Sequence, residues 1–169
     1  PPSAVWSHMI PEVLLLDLNK QVTIERNNHA VYSAMSALLD TRNLPNLAKF
    51  LAKQAEGEWS HAKKLVDYIT DRGGVAFFDS LAAVETSNNG AVFYFELAMS
   101  LERSTTDALK LLHRESEAMD QQTAVFLQWY LMEQVEEEKV VGEVVDCFHR
   151  SVNLGDQWVD AWMKNYLTS

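Results

Sequence analysis

Cysteine is almost absent: one residue, Cys147, stands in 169. That excludes an internal disulfide framework and fits a reducing compartment. Glycine and proline are scarce, six and four, and most sit at segment edges, so long unbroken helices are allowed and no phosphate-binding loop is formed. Period-two alternation is missing over any useful length, and no strands are expected. No run approaches the ~18–20 apolar residues of a membrane span, so no membrane partner is expected. Basic residues are outnumbered, 14 against 24 acidic ones, for a net charge of −10. Phosphate binding needs a basic face, so nucleic acid is excluded as an expected partner. The opening Pro1-Pro2-Ser3-Ala4 lacks the cationic and apolar regions of a secretory signal. A cytoplasmic location is expected, or an organelle lumen if a leader has been removed.

What is present is apolar residues at helical spacing, 47% hydrophobic in all. The expected architecture is all-α, one domain over residues 1–169, with helices at about 11–40, 45–73, 89–116, 120–152 and a short fifth at 156–167. Gly73-Gly74 marks the end of the second helix, and Ser87-Asn88-Asn89 offers caps for the third. The link from Val75 to about Asn88 can reach roughly 50 Å extended, enough to cross a helix about 42 Å long. The expected topology is therefore a four-helix bundle with a long crossover between its second and third helices. A simple up-down-up-down bundle is the competing topology.

Each long helix carries polar groups where its buried stripe should pass. Glu25 falls between Val22 and Tyr32, and Glu102 between Ala98 and Leu109. Glu58 and His61 continue the line of Leu51, Ala55 and Leu65. On the fourth helix the stripe runs through positions 133, 134 and 137, which turns Gln134 and Glu137 inward, leaves Glu136 at the edge and puts Glu138 outside. These sets lie near mid-helix and meet at one height whichever way the helices run. Buried carboxylates without cations are very unfavourable, and the stripes hold no lysine or arginine. Two divalent metals sharing a carboxylate are the simplest neutralisation. Carboxylates with one imidazole and no thiolate favour iron or manganese, with zinc as competitor. Cys147, among Val144, Val145 and Phe148, reads as an inert thiol. His8, His29, His113 and His149 lie off the inferred site.

Gln54-Ala-Glu-Gly-Glu-Trp-Ser-His61, Ser100-Leu-Glu-Arg-Ser104 and Phe126-Leu-Gln-Trp-Tyr-Leu-Met-Glu-Gln-Val-Glu-Glu-Glu-Lys139 resemble the corresponding stretches of bacterial-type non-haem ferritins. The resemblance implies a ferritin-like fold and a ferroxidase centre. Glu25, Glu58 and His61 would hold one iron, with Glu58 bridging, and Glu102 and Glu137 a second. Gln134 would orient dioxygen or water, and Tyr32 matches a tyrosine beside the centre that either donates an electron or simply packs. Glu133 and Glu136 match ligands of a third iron site, whose remaining carboxylate is replaced here by Gly57. Trp59 stands where bacterioferritins carry their haem-ligating methionine, so no haem is expected. The resemblance further implies iron storage in a 24-subunit homo-oligomeric cage, with Fe(II) and dioxygen or hydrogen peroxide as reactants. A di-iron oxidase or peroxidase without storage is the competing enzyme, and an acidic helical metal buffer or scaffold the non-enzymatic alternative.

Overall fold

A computed structural model describes residues 9–84 and 89–168 of the chain. Five helices follow in order: α1 (Glu12–Asp40), α2 (Pro45–Asp71), α3 (Ala91–Met119), α4 (Gln121–Arg150) and α5 (Asp156–Tyr166), with no strand among the described residues. The bounds fall within a few residues of those expected from periodicity. The opening Pro1–Ala4 segment, His8, and the cap candidates Ser87 and Asn88 lie outside the described residues. Gly90 precedes α3 and has no side chain to cap it, but the first N–H of the helix, that of Ala91, donates to Asp156 Oδ2 at 3.4 Å.

The termini follow from local chemistry. Gly73 takes φ 73° after α2, and Gly74 N–H donates to Ile69 O while Gly73 N–H donates to Thr70 O. This pair of bonds closes the last turn as a Schellman motif. The start of α2 is capped from far away: Asp160 on α5 accepts from the backbone N–H of Asn46 and of Leu47, both at 2.9 Å, and from the Asn46 side chain at 2.8 Å. Helix N-termini leave such donors unpaired, and a carboxylate is their best partner. Val159 and Met163 are buried on the same face of α5, so this helix folds back on its own bundle.

α1 lies along α2 and α3 along α4, with α1 and α3 as neighbours. The described parts of the link after α2 meet α1 near its start and its middle and the chain just past its end. Asn19 holds Val75 O and Phe77 N–H, Arg26 donates to Asp79 O, and Arg42 donates to Asn89 O. α3 therefore starts at the opposite end of the bundle from where α2 stops, as the crossover topology requires.

Apolar packing forms two separate cores. One gathers Met35, Leu39, Leu51, Phe95, Val144 and their neighbours; the other gathers Leu14, Leu18, Val22, Leu65, Leu109 and Leu127. Each fully buried Leu of this kind contributes roughly 1.5–3 kcal/mol. Between the two cores lies the band of the bundle that carries Glu25, Glu58, His61 and Glu102, so both ends of that band are closed by hydrocarbon.

Candidate metal centre

Helical repeat alone brings the polar residues inward. Leu51, Ala55, Glu58, Ala62 and Leu65 share one buried row of α2, and Leu18, Val22, Glu25, Tyr32 and Met35 one of α1. Glu25, Glu58, His61, Glu102 and Gln134 are all buried, and the Glu137 side chain is 15% exposed. Their ligand atoms group as Glu25–Glu58–His61 and Glu58–Glu102–Glu137, each within 4.8 Å, with Glu58 common to both. His61 Nδ1 lies 3.7 Å from Glu25 Oε2 and 4.0 Å from Glu58 Oε2, while its Nε2 lies 3.7 Å from Glu137 Oε1.

The surrounding hydrogen bonds hold some carboxylates and leave others bare. Gln21 Nε2 donates to Glu25 Oε1 at 2.7 Å, Tyr32 donates its phenolic proton to Glu102 Oε1, and Gln134 Nε2 donates to Glu102 Oε2 at 3.2 Å. Glu25 Oε2 and both oxygens of Glu58 are buried with no hydrogen-bond partner. Such atoms cost their full desolvation unless a proton or a cation meets them. Burial, then the neighbouring Glu25 carboxyl, raises the Glu58 carboxyl far above the usual range. Glu137 is pushed up to about 8, by burial first and by Glu102 next. Burial also raises Glu102, against the lowering effect of the Tyr32 and Gln134 hydrogen bonds. Burial works against a protonated His61, but the neighbouring Glu25 carboxylate and the charge of Glu137 outweigh it, and this imidazole titrates above its ordinary value. Without metal, the site stores protons. A donor set of carboxylate oxygens and one imidazole, with bare oxygens turned inward, fits hard or borderline divalent cations such as iron and manganese.

The ferritin-like domain matches residues 15–151. The chain belongs to the ferritin family. It is similar to the bacterial non-heme ferritin of Staphylococcus epidermidis, 34% identical over 143 residues covering 84% of this chain and 86% of that protein. It is also similar to ferritin-3, chloroplastic, of Glycine max, 39% identical over 142 residues covering 79% of this chain and 56% of that one. Among solved structures, an open pore ferritin of Archaeoglobus fulgidus superposes with a TM-score of 0.82 at 25% identity, over 89% of this chain and 96% of that one.

Within this ferritin-family bundle one outer carboxylate, Glu138, does not fall where the stripe of α4 places it. Glu133 is half-buried and joins His61 and Glu137 in a third grouping within 4.8 Å. Glu136 is exposed and pairs with Lys139 at 3.6 Å, outside all three groupings. Glu138, expected outside, is instead half-buried and accepts from Thr106 Oγ1 at 2.6 Å. The inward face of α4 is thus turned toward the Gln134–Glu138 row, where α3 supplies a donor. Trp129 is 39% exposed, with its ring edge-on to His61 at 5.5 Å and Lys64 above it at 4.3 Å. Trp59 is 49% exposed and its ring lies 5.8 Å from His29, whose Nδ1 is 2.7 Å from Ala55 O. His113 faces Glu117 and His149 faces Glu96, both away from the centre. Sequence reasoning missed Gln21, one turn before Glu25, and Thr106, one turn after Glu102; their spacing of four from a ligand candidate was the available signal.

Proposed function

We propose that the chain is an iron-storage ferroxidase, oxidising Fe(II) at this centre and depositing ferric mineral inside a 24-subunit homo-oligomeric cage. The observation that carries the reading is the trio of unpartnered buried oxygens on Glu25 and Glu58, grouped with one imidazole whose Nδ1 lies 3.7 Å from Glu25 Oε2 and 4.0 Å from Glu58 Oε2. Glu25 and His61 hold one Fe(II), Glu102 and Glu137 a second, and Glu58 bridges. Two Fe(II) give up one electron each. Dioxygen takes both electrons with two protons and leaves as hydrogen peroxide, or hydrogen peroxide takes them and leaves as water. The side chains prepare this exchange in three ways. Fe(II) binding displaces the protons that Glu58 and Glu137 hold when empty, leaving both carboxylates charged against the gathering ferric charge. Gln134 and Tyr32 fix the two oxygens of Glu102 from opposite helices, and Gln134 also faces the reactants. The two apolar cores keep bulk water out at both ends.

Glu133 lies beside His61 and Glu137, but position 57 offers no carboxylate, so a third iron is held weakly at most. Haem plays no part in this scheme. No helix among the described residues is long and apolar enough to cross a membrane, and the single cysteine suits the cytoplasm. Two measurements test the proposal together. Size-exclusion chromatography with light scattering should give a shell of about 24 copies, and stopped-flow absorbance should show fast Fe(II) oxidation. Oxidation by a monomer or dimer would leave an oxidase without storage; a shell with no oxidation would leave a passive container.

A further inference from the structure

Four residues on α3 and α4 form a square that the metal ligands alone do not require. Glu102 and Thr106 are one turn apart on α3, and Gln134 and Glu138 one turn apart on α4. Gln134 Nε2 lies 3.2 Å from Glu102 Oε2, 3.2 Å from the Glu102 backbone oxygen and 3.2 Å from Thr106 Oγ1. Thr106 Oγ1 in turn lies 2.6 Å from Glu138 Oε1, the shortest link in the square.

A threonine hydroxyl has one proton to give. Once that proton goes to the Glu138 carboxylate, Thr106 presents only lone pairs to Gln134. Both oxygens of Glu102 in reach are acceptors as well. Every neighbour on this side therefore accepts, and the carboxamide can meet them only with its NH2 end. We propose that Glu138 and Thr106 are positioning residues that fix the direction of the Gln134 amide, and through it the orientation of the Glu102 carboxylate at the metal centre. Glu138 acts at a distance of two hydrogen bonds and touches no metal. Removing its carboxylate frees the Thr106 hydroxyl to rotate, so the NH2 end loses one of its three acceptors and the amide loosens against Glu102 Oε2. The inference rests on the metal-centre reading above.

The test uses Co(II) as an oxygen-inert probe of ligand geometry, alongside Fe(II) oxidation, in the assembled protein. Thr106→Val and Glu138→Ala should keep the wild-type Co(II) stoichiometry but change the visible absorption of the bound ions. Both should slow Fe(II) oxidation at saturating Fe(II) on the order of tenfold, about one hydrogen bond's worth of positioning, with half-saturation unchanged. Glu138→Gln, whose amide oxygen can still accept from Thr106, should restore the wild-type spectrum and rate. Wild-type spectra and rates in Thr106→Val and Glu138→Ala would overturn the positioning role while leaving the metal centre intact. Failure of Glu138→Gln to rescue would overturn it too, and a wild-type protein that binds no Co(II) would sink the metal-centre reading with it.

Discussion

Glu58 and His61, three residues apart on α2, face the same interior point, with Nδ1 4.0 Å from Oε2, yet no donor reaches either oxygen of Glu58. A carboxylate left so bare has a use other than stability. Glu58→Gln keeps the shape and removes the charge. Fe(II) oxidation should fall at least to the slow background, and the metal-free protein should be no less stable. Stopped-flow absorbance and thermal melting check both halves, and an unimpaired oxidation rate would remove Glu58 from its bridging place.

His61→Ala removes the only imidazole in the groupings and should cost about one tight divalent site per subunit, since one imidazole serves one ion. Glu102 and Glu137 remain for the other. Anaerobic Fe(II) titration reads the stoichiometry directly. An unchanged count and affinity would make His61 a packing histidine that bridges Glu25 and Glu137.

Metal-free stability should fall as pH rises from about 5 to about 8. Glu58, Glu102 and Glu137 titrate higher in the fold than at their ordinary value, and Glu137 does so near 8. His61 is also raised. In that window the folded protein binds more protons than the unfolded chain, so the slope of stability against pH is negative, by up to about 1.4 kcal/mol per pH unit for each extra proton. Denaturant titrations of the metal-free protein at pH 5.5 and 8 measure it. The slope should flatten in Glu58→Gln, and a stability that rises over this range would contradict the protonated carboxylates.

Gly57→Glu should add an iron position. Gly57 shares a helical row with His61, Lys64 and Tyr68, each of which meets α4: His61 at Glu137, Lys64 over Trp129 and Tyr68 stacked on Phe126. A Cβ at position 57 would meet nothing within 4 Å, and replacing a mid-helix glycine favours the helix by about 0.5–1 kcal/mol. The new carboxylate would join Glu133 beside His61 and Glu137, without help from Glu136. Crystals soaked with Fe(II) should show one ion more than crystals of the parent, and stopped-flow absorbance slower turnover; the same number of ions in both would mean that the side chain turns away.

Periodicity was enough to place Glu25, Glu58, His61, Glu102 and Gln134 inside, because each interrupts an apolar row that must stay buried. It failed at Glu138. The edge of a buried stripe is set by which neighbour supplies a partner, and the partner of Glu138 is Thr106 on another helix, 32 residues away. The same limit hid Asp160, whose partners on α2 lie 113 and 114 residues away in sequence.

Asp160 ties the beginning of α2 to the last helix, across 114 residues of sequence. A nascent chain leaving the ribosome therefore exposes the first turn of α2 long before the carboxylate that closes it has been made. Until α5 emerges, the N–H groups of Asn46 and Leu47 can bond only to water, and that turn frays. The final helix thus acts as a seal on a fold otherwise complete, and a product cut short before it carries an open helix end as a mark of its incompleteness.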